Sequence, residues 1–400
     1  MTNTLTRQQT TRWLYLALSV VLLMCLGLIY AWSVFRVPLE QEFGWPKAET
    51  SLTFSISMMM FCLGGVVSGI VTAKKGVATT LIACALCLAA GFARASQVDS
   101  LLGIYVTYGA LCGLGVGLGY NATISTAVKW FPDKTGLVSG ISLMGFGLGA
   151  MVLGTVAASL IETIGWRLTF LAIAVVFGLL MLVGAVVLRA PTAAFIQQMT
   201  QGTSTKTQTV EDISFRPMIK RRNFWLYFAW AAALSAAGLA VINISTAYAG
   251  EFVGNNLTEA AAIAGSVSIA NGVGRVFFGQ LFDSKGYKVT MFVITTACLL
   301  AGCVFVAADI TRSLPVLVAA FVLIGFMYGG VTPTNSAFTA YFFGRTHYAL
   351  NFSITNLNLI IASYIGPLCA SGEPFFAFVL FIAFAIGAFG LAARIRRPIA

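Results

Sequence analysis

Apolar residues run along this chain in long, nearly unbroken blocks, near residues 12–36, 48–72, 77–95, 101–129, 136–160 and 167–190, and again near 223–250, 257–282, 289–308, 314–342, 347–370 and 373–393. Each block is on the order of the twenty residues that an α-helix needs to cross about 30 Å of hydrocarbon. In that solvent a chain must satisfy its own backbone hydrogen bonds, and blocks of this length do so as helices rather than as barrel strands. Residues 1–11 form a polar tail, and one longer polar stretch, residues 191–222, divides the blocks six and six. The pattern predicts an all-α membrane protein of twelve transmembrane helices in two six-helix bundles. The bundles are expected over residues 1–190 and 223–400, joined by a cytoplasmic linker over 191–222. No small-residue cleavage pattern follows the first block, which is therefore expected to stay as a helix.

Composition agrees with the pattern: 58% of the 400 residues are hydrophobic and 9% are charged, against about 25% charged in ordinary soluble domains. The net charge of +11 is spread over short loops, which fits a positive cytoplasmic side and not nucleic-acid binding. With the N-terminus inside, inner loops hold Lys74, Lys75, Lys134, Lys206, Arg216, Lys220, Arg221, Arg222, Lys285, Lys288 and Arg345, and the tail adds Arg394, Arg396 and Arg397. Outer loops hold only Arg36, Lys47, Arg94, Arg167 and Arg312. The asymmetry predicts a multi-pass protein of the cell (plasma or inner) membrane with both termini cytoplasmic. The eight cysteines lie in or beside apolar blocks, and Cys84 and Cys87 read as packing thiols rather than a metal or redox pair. Gly113, Gly115, Gly117 and Gly119 lie inside an apolar block with no preceding strand, so close helix packing explains them better than a phosphate loop. No cofactor or metal is implied.

One cation breaks the eighth block. Arg275 lies eight residues before Asp283, which opens a charged turn; at about 1.5 Å per residue it sits roughly 12 Å below the membrane surface. Such a charge is costly unless it meets water, a partner or a substrate, and it marks a functional site by default. Its planar fork of donors suits a carboxylate, although a structural arginine held by helix carbonyls is the plainer alternative. Asn271 lies one turn earlier on the same face and can orient the guanidinium or bond a substrate oxygen. Tyr30, Tyr120 and Tyr328 can line an apolar cage with hydroxyls turned inward, and packing is their plainer role. Thr332 joins this set, and Asn335, Asn356 and Asn358 are further polar residues in the tenth and eleventh blocks.

The halves echo each other at an offset near 210 residues. The stretch from Gly69 to Gly76 parallels that from Gly279 to Gly286, and Lys129–Lys134 parallels Ala340–Arg345. Gly279, Asp283, Gly286 and Lys288 match the loop motif GxxxD-x-x-G-x-[RK] of the major facilitator superfamily, which the chain thus resembles. The first-half copy has Ala73 where the motif has aspartate. Within that superfamily the chain is similar to the oxalate/formate antiporter and monocarboxylate porter branch. The matching stretches are Tyr30 to Phe35 (YAWSVF), Tyr120 before Trp130–Lys134 (WFPDK), Asn271 with Arg275, and Asn351.

The resemblance implies two pseudo-symmetric bundles that rock about a central site, with Arg275 binding a substrate carboxylate. Oxalate carriers of the branch add a lysine in helix 11. Leu359 stands at that position here, and Asn356 stands where they have a tryptophan. That shared position favours Asn356 over Asn335 and Asn358 as the substrate-binding residue. A monoanion such as lactate, pyruvate, glycolate or formate is therefore expected. The expected conformational residues are Asp283, Lys285, Lys288, Asp133, Lys134 and Arg345, with Asp283 and Lys285 pairing with charges such as Lys134, Asp133 or Arg345.

All thirteen acidic residues read as loop or helix-end residues, and the only histidine, His347, sits at a helix end. No carboxylate is placed at mid-membrane to carry a proton, which favours anion exchange or facilitated diffusion. The expected function is transport, not enzymatic, of small monocarboxylates by alternating access, working as a monomer in the bilayer. The rival reading is an exporter of larger hydrophobic or drug-like compounds.

Overall fold

A computed structural model describes residues 2–192, 194–196, 199, 212–254, 257–369 and 374–396. Linker residues 193, 197–198 and 200–211, including Lys206, lie outside the described residues, as do Arg397, Glu373 and Asn256. Among the described residues the regular structure is helical, with no strand.

The chain forms α1 (Thr2–Leu26), a 3₁₀ turn (Gly27–Ala31), α2 (Trp32–Phe43), α3 (Lys47–Ala95), α4 (Leu101–Ile104), a π-helical stretch (Tyr105–Cys112) and α5 (Gly113–Trp130). There follow α6 (Thr135–Val187), α7 (Phe215–Met218), α8 (Arg222–Gly250), α9 (Leu257–Thr311), α10 (Leu314–Phe343), α11 (Tyr348–Thr355), α12 (Asn358–Cys369) and α13 (Pro374–Arg394). Among the described residues, eight helical spans are long and apolar enough to cross a membrane. Three of them, in α3, α6 and α9, are double length and contain non-helical backbone at Gly76, Gly165 and Gly286. Each of these glycines has φ near +80° (86°, 79° and 80°), a region that side chains with a Cβ avoid. The chain turns back there: Thr72 and Thr80 hydroxyls meet at 2.9 Å across Gly76, whereas eight residues of straight helix span about 12 Å. Each double span is therefore two transmembrane helices. Together with the interrupted pair α11–α12, too short in its separate pieces to count as a span, the twelve apolar blocks become twelve transmembrane helices.

The helices are apolar around their whole circumference because one side meets lipid and the other meets protein. On α9, Ile269, Val273 and Phe277 form an exposed stripe at four-residue spacing, while Asn271, Arg275 and Phe278 are buried. Seven described cysteines are free thiols.

Two compact units emerge, and they are not contiguous in sequence. The first comprises Met1–Asp133, Ser142–Thr207 and Arg345–Ile354; the second comprises Lys134–Ile141, Gln208–Gly344 and Thr355–Ala400. The first turns of α6 and α11 thus each belong to the unit built mainly from the other half of the chain. Within the first unit, the Asn121 side-chain amide donates to Gly65 O (2.9 Å) and Ala349 O (2.8 Å). Gly69 there abuts Ala349 and Leu350 so closely that a Cβ would overlap the backbone. Within the second unit, Gly136 and Gly279 make the matching close approach.

Asp283 lies beside that approach. Its Oδ1 accepts from Gly136 N and its Oδ2 from Leu137 N, both at 2.8 Å, so one carboxylate holds two of the orphan N–H groups that begin α6. In the first unit Asp133 pairs with Arg12 at 3.0 Å, and Arg345 donates to Pro132 O at 2.7 Å. Lys285 and Lys288 are exposed and form no ion pair among the described residues.

Candidate functional site

The second unit gathers Asn271 and Arg275 on α9 with Tyr328 and Thr332 on α10. The two helices touch through glycine: a Cβ at Gly274 would meet Phe326 O, at Gly325 it would meet Val267 O, and at Gly329 it would meet Asn271 O and Arg275 N. This contact of small residues is what lets α10 present its polar face next to Arg275. Tyr328 packs on Gly238 of α8, with 2.6 Å between its Cβ and the position a Cβ of residue 238 would take. It also lies within electrostatic reach of Arg275.

Arg275 is only 9% exposed, and its Nε donates to Asn271 Oδ1 at 2.9 Å. That bond fixes the amide: with Oδ1 taken by the guanidinium, Asn271 presents its Nδ2 donor away from Arg275. Among the described residues this buried Nδ2 has no hydrogen-bond partner, and neither does the buried hydroxyl of Thr332. Native proteins rarely leave such groups unmatched, because each costs about 1–3 kcal/mol. A cationic fork, an amide donor and a hydroxyl together form a site that can receive a carboxylate.

The remaining expected residues fall into separate groups. Tyr30 and Tyr120 come together in the first unit, each edge-on to Phe146, with ring centroids at 5.3 Å and 4.9 Å. The 3₁₀ turn carries Tyr30, which stays 39% exposed, whereas Tyr120 is buried beside Phe61 and Phe352. Asn356, in the second unit, occupies the interruption between α11 and α12. Its Oδ1 accepts from Asn335 Nδ2 at 3.0 Å, and Asn335 Oδ1 accepts from the Tyr227 hydroxyl at 2.7 Å.

Two of these contributors, Tyr227 and Gly329, had no signal that sequence could turn into a role. Tyr227 is one more aromatic in an apolar block. Gly329 is one of forty glycines. Asn121, a polar residue deep in an apolar block, could have been flagged on that ground alone.

The glycine contact yields a direct expectation. Gly329→Val forces α9 and α10 apart at Asn271 and Arg275, and overpacking of this kind costs about 1–3 kcal/mol. Melting of the detergent-solubilised protein should drop by several degrees and ligand binding should weaken. A variant as stable and active as the parent would contradict the close contact.

Comparison with known proteins places these features in context. A family profile described as Major Facilitator Superfamily matches residues 17–367. The oxalate:formate antiporter of Oxalobacter formigenes is 29% identical over 420 aligned residues, covering 100% of this chain and 97% of that protein. An uncharacterized MFS-type transporter of Escherichia coli, YhjX, is 27% identical over 359 residues, covering 89% of this chain and 86% of that protein. Mouse monocarboxylate transporter 12 is 33% identical over 139 residues, covering 34% of this chain and 28% of that protein. In structure, the transporter FucP in its outward conformation superposes with a TM-score of 0.74 at 14% identity, covering 96% of this chain and 98% of that one.

Proposed function

The chain belongs to the major facilitator superfamily and is a multi-pass membrane transporter, and on that premise we propose that it carries small monocarboxylates with Arg275 as the anion anchor. The observation that carries this reading is the buried Arg275–Asn271 pair, flanked by the unmatched Asn271 Nδ2 and Thr332 Oγ1. An apolar drug would leave the Asn271 amide and the Thr332 hydroxyl unsatisfied and desolvated, whereas a carboxylate oxygen meets them. This weighs against the exporter of larger hydrophobic compounds. The likeness to an oxalate:formate antiporter over the full chain supports an organic anion as cargo. Leu359 provides no second positive charge for a dianion, which favours a monoanion.

Alternating access about this site, with both termini cytoplasmic and the protein acting as a monomer, completes the reading. Asp283 is the residue that holds the start of α6. Exchange or facilitated diffusion is favoured, since the acidic residues belong to loops and helix ends.

Reconstitution tests the proposal. Liposomes holding the purified protein and preloaded with lactate or formate should take up labelled lactate, pyruvate or formate faster than empty ones, with saturation and mutual competition. Uptake indifferent to all C1–C4 monocarboxylates, together with binding of a hydrophobic dye that they do not displace, would remove the carboxylate reading in favour of the exporter.

A further inference from the structure

The second unit contains a hydrogen-bonded relay that ends on an unused donor. Tyr227 on α8 is fully buried, stacked on Phe338 with ring centroids 3.8 Å apart and planes at 12°. Its hydroxyl donates to Asn335 Oδ1 at 2.7 Å. With that oxygen occupied, Asn335 can turn only its amide nitrogen to the next residue, and it donates to Asn356 Oδ1 at 3.0 Å. The polarity passes down the chain. Asn356 is thereby held with its oxygen toward Asn335 and its Nδ2 toward the other side, where that nitrogen makes no hydrogen bond among the described residues. A free amide could flip and offer either end; this one cannot.

The place of this donor matters as much as its orientation. Helical structure stops at Thr355 and resumes at Asn358. The turn between them is closed by Leu359 N to Asn356 O and Ile360 N to Leu357 O, both at 3.0 Å, and by Asn358 Nδ2 to Thr355 O at 2.7 Å. The interruption lets Asn356 leave the helical surface while its backbone stays bonded. Asn335 follows Thr332 by three residues on α10, on one helix face and about 4.5 Å along the axis. The residue that orients the Asn356 amide therefore lies about one helical turn from Thr332 on the same helix. Asn356 retains a small accessible surface, 8%, while Asn335 and Tyr227 have none.

Resting on the monocarboxylate reading above, we propose that Asn356 is the specificity residue of this carrier. It donates to a neutral carbonyl or hydroxyl oxygen on the carbon chain of a substrate whose carboxylate lies at Arg275. Tyr227 and Asn335 are its positioning residues. An amide N–H donates to an uncharged oxygen as well as water does and brings no charge, so it rewards an oxo or hydroxy acid over a plain fatty acid. It supplies no positive charge to balance that of a second carboxylate.

The test compares pyruvate with propionate, which share a three-carbon chain and differ in the oxo oxygen. Each is titrated by calorimetry against the full-length protein in lipid nanodiscs. The parent should bind pyruvate about tenfold more tightly than propionate, and Asn356→Ala should bring the ratio to about two. Tyr227→Phe removes only the hydroxyl that starts the relay; it should lower the ratio about fivefold and raise the pyruvate KM of transport with kcat retained. Trp230→Phe serves as the packing control. It loses a buried hydrogen bond to Thr295 on the same α8 helix (2.9 Å) and should lower the melting temperature without changing the ratio.

A parent that binds both acids equally overturns the specificity role while leaving the carboxylate carrier intact. A ratio abolished by Asn356→Ala but untouched by Tyr227→Phe overturns the relay. A ratio that falls as far in Trp230→Phe reduces both variants to general loosening and overturns the proposal. A parent that binds neither acid, nor any other C1–C4 monocarboxylate, removes the transport reading itself.

Discussion

Arg275→Lys should bind monocarboxylates about 10- to 100-fold more weakly than the parent, and Arg275→Ala should transport none. Lysine keeps the positive charge but replaces a planar fork with a single ammonium. The loss is that of one charge-assisted hydrogen bond, about 1.5–3 kcal/mol. Lysine also cannot maintain the Nε bond to Asn271 Oδ1, so the amide whose Nδ2 faces the site is released to turn. Alanine removes the charge itself and leaves Asn271 with both ends unmatched. The measurement is a thermal-shift titration with lactate, pyruvate and formate on all three proteins, followed by liposome uptake. Full uptake by Arg275→Ala would show that the cation is structural and would remove the anchor on which the function rests.

The second large effect is expected at Asp283. Both carboxylate oxygens are used on the first turn of α6, at 2.8 Å to Gly136 N and Leu137 N. A side-chain cap of this kind contributes about 0.5–2 kcal/mol, and its negative charge at a helix N-terminus adds to it. Asp283→Ala should therefore weaken the hold on this turn by about 2 kcal/mol. Amide hydrogen exchange at Gly136 and Leu137 should rise about 30-fold, and the hydrogen bond between Ser139 and Ser336 further along the same turn should open with it. Asp283→Asn keeps one acceptor and should fall between. In transport the same change should alter the rate more than the affinity, since it biases a conformation and leaves Arg275 in place. Unchanged exchange at both amides would refute the cap. The first-half copy of the motif, with Ala73, has no such carboxylate; in the first unit the Asn121 amide bonds the Ala349 carbonyl instead.

Hydropathy alone determined much of this protein. Twelve apolar blocks became twelve transmembrane helices, because a chain in lipid has to close its own hydrogen bonds and the length required is set by the bilayer. Arg275 stood out by the same reasoning, since a cation in such a block is costly wherever the helix turns. Asn271 followed from helical spacing, one turn away. Gly286 was legible from its loop motif, although its φ of 80° gives the physical reason only in the structure.

Tertiary structure decided the rest. The seam of Gly274, Gly325 and Gly329, the run of bonds from Tyr227 through Asn335 to Asn356, and the two backbone N–H groups held by Asp283 all join residues that no local pattern connects. In a soluble protein the alternation of polar and apolar positions tells which face of a helix is buried. Here Ile269 and Val273 face outward and Phe278 faces inward, yet all three are apolar, because lipid and protein interior make the same demand. Periodicity cannot distinguish two surroundings of equal polarity. Which faces meet, and which buried amide is left with a donor to give, was fixed only when the helices packed.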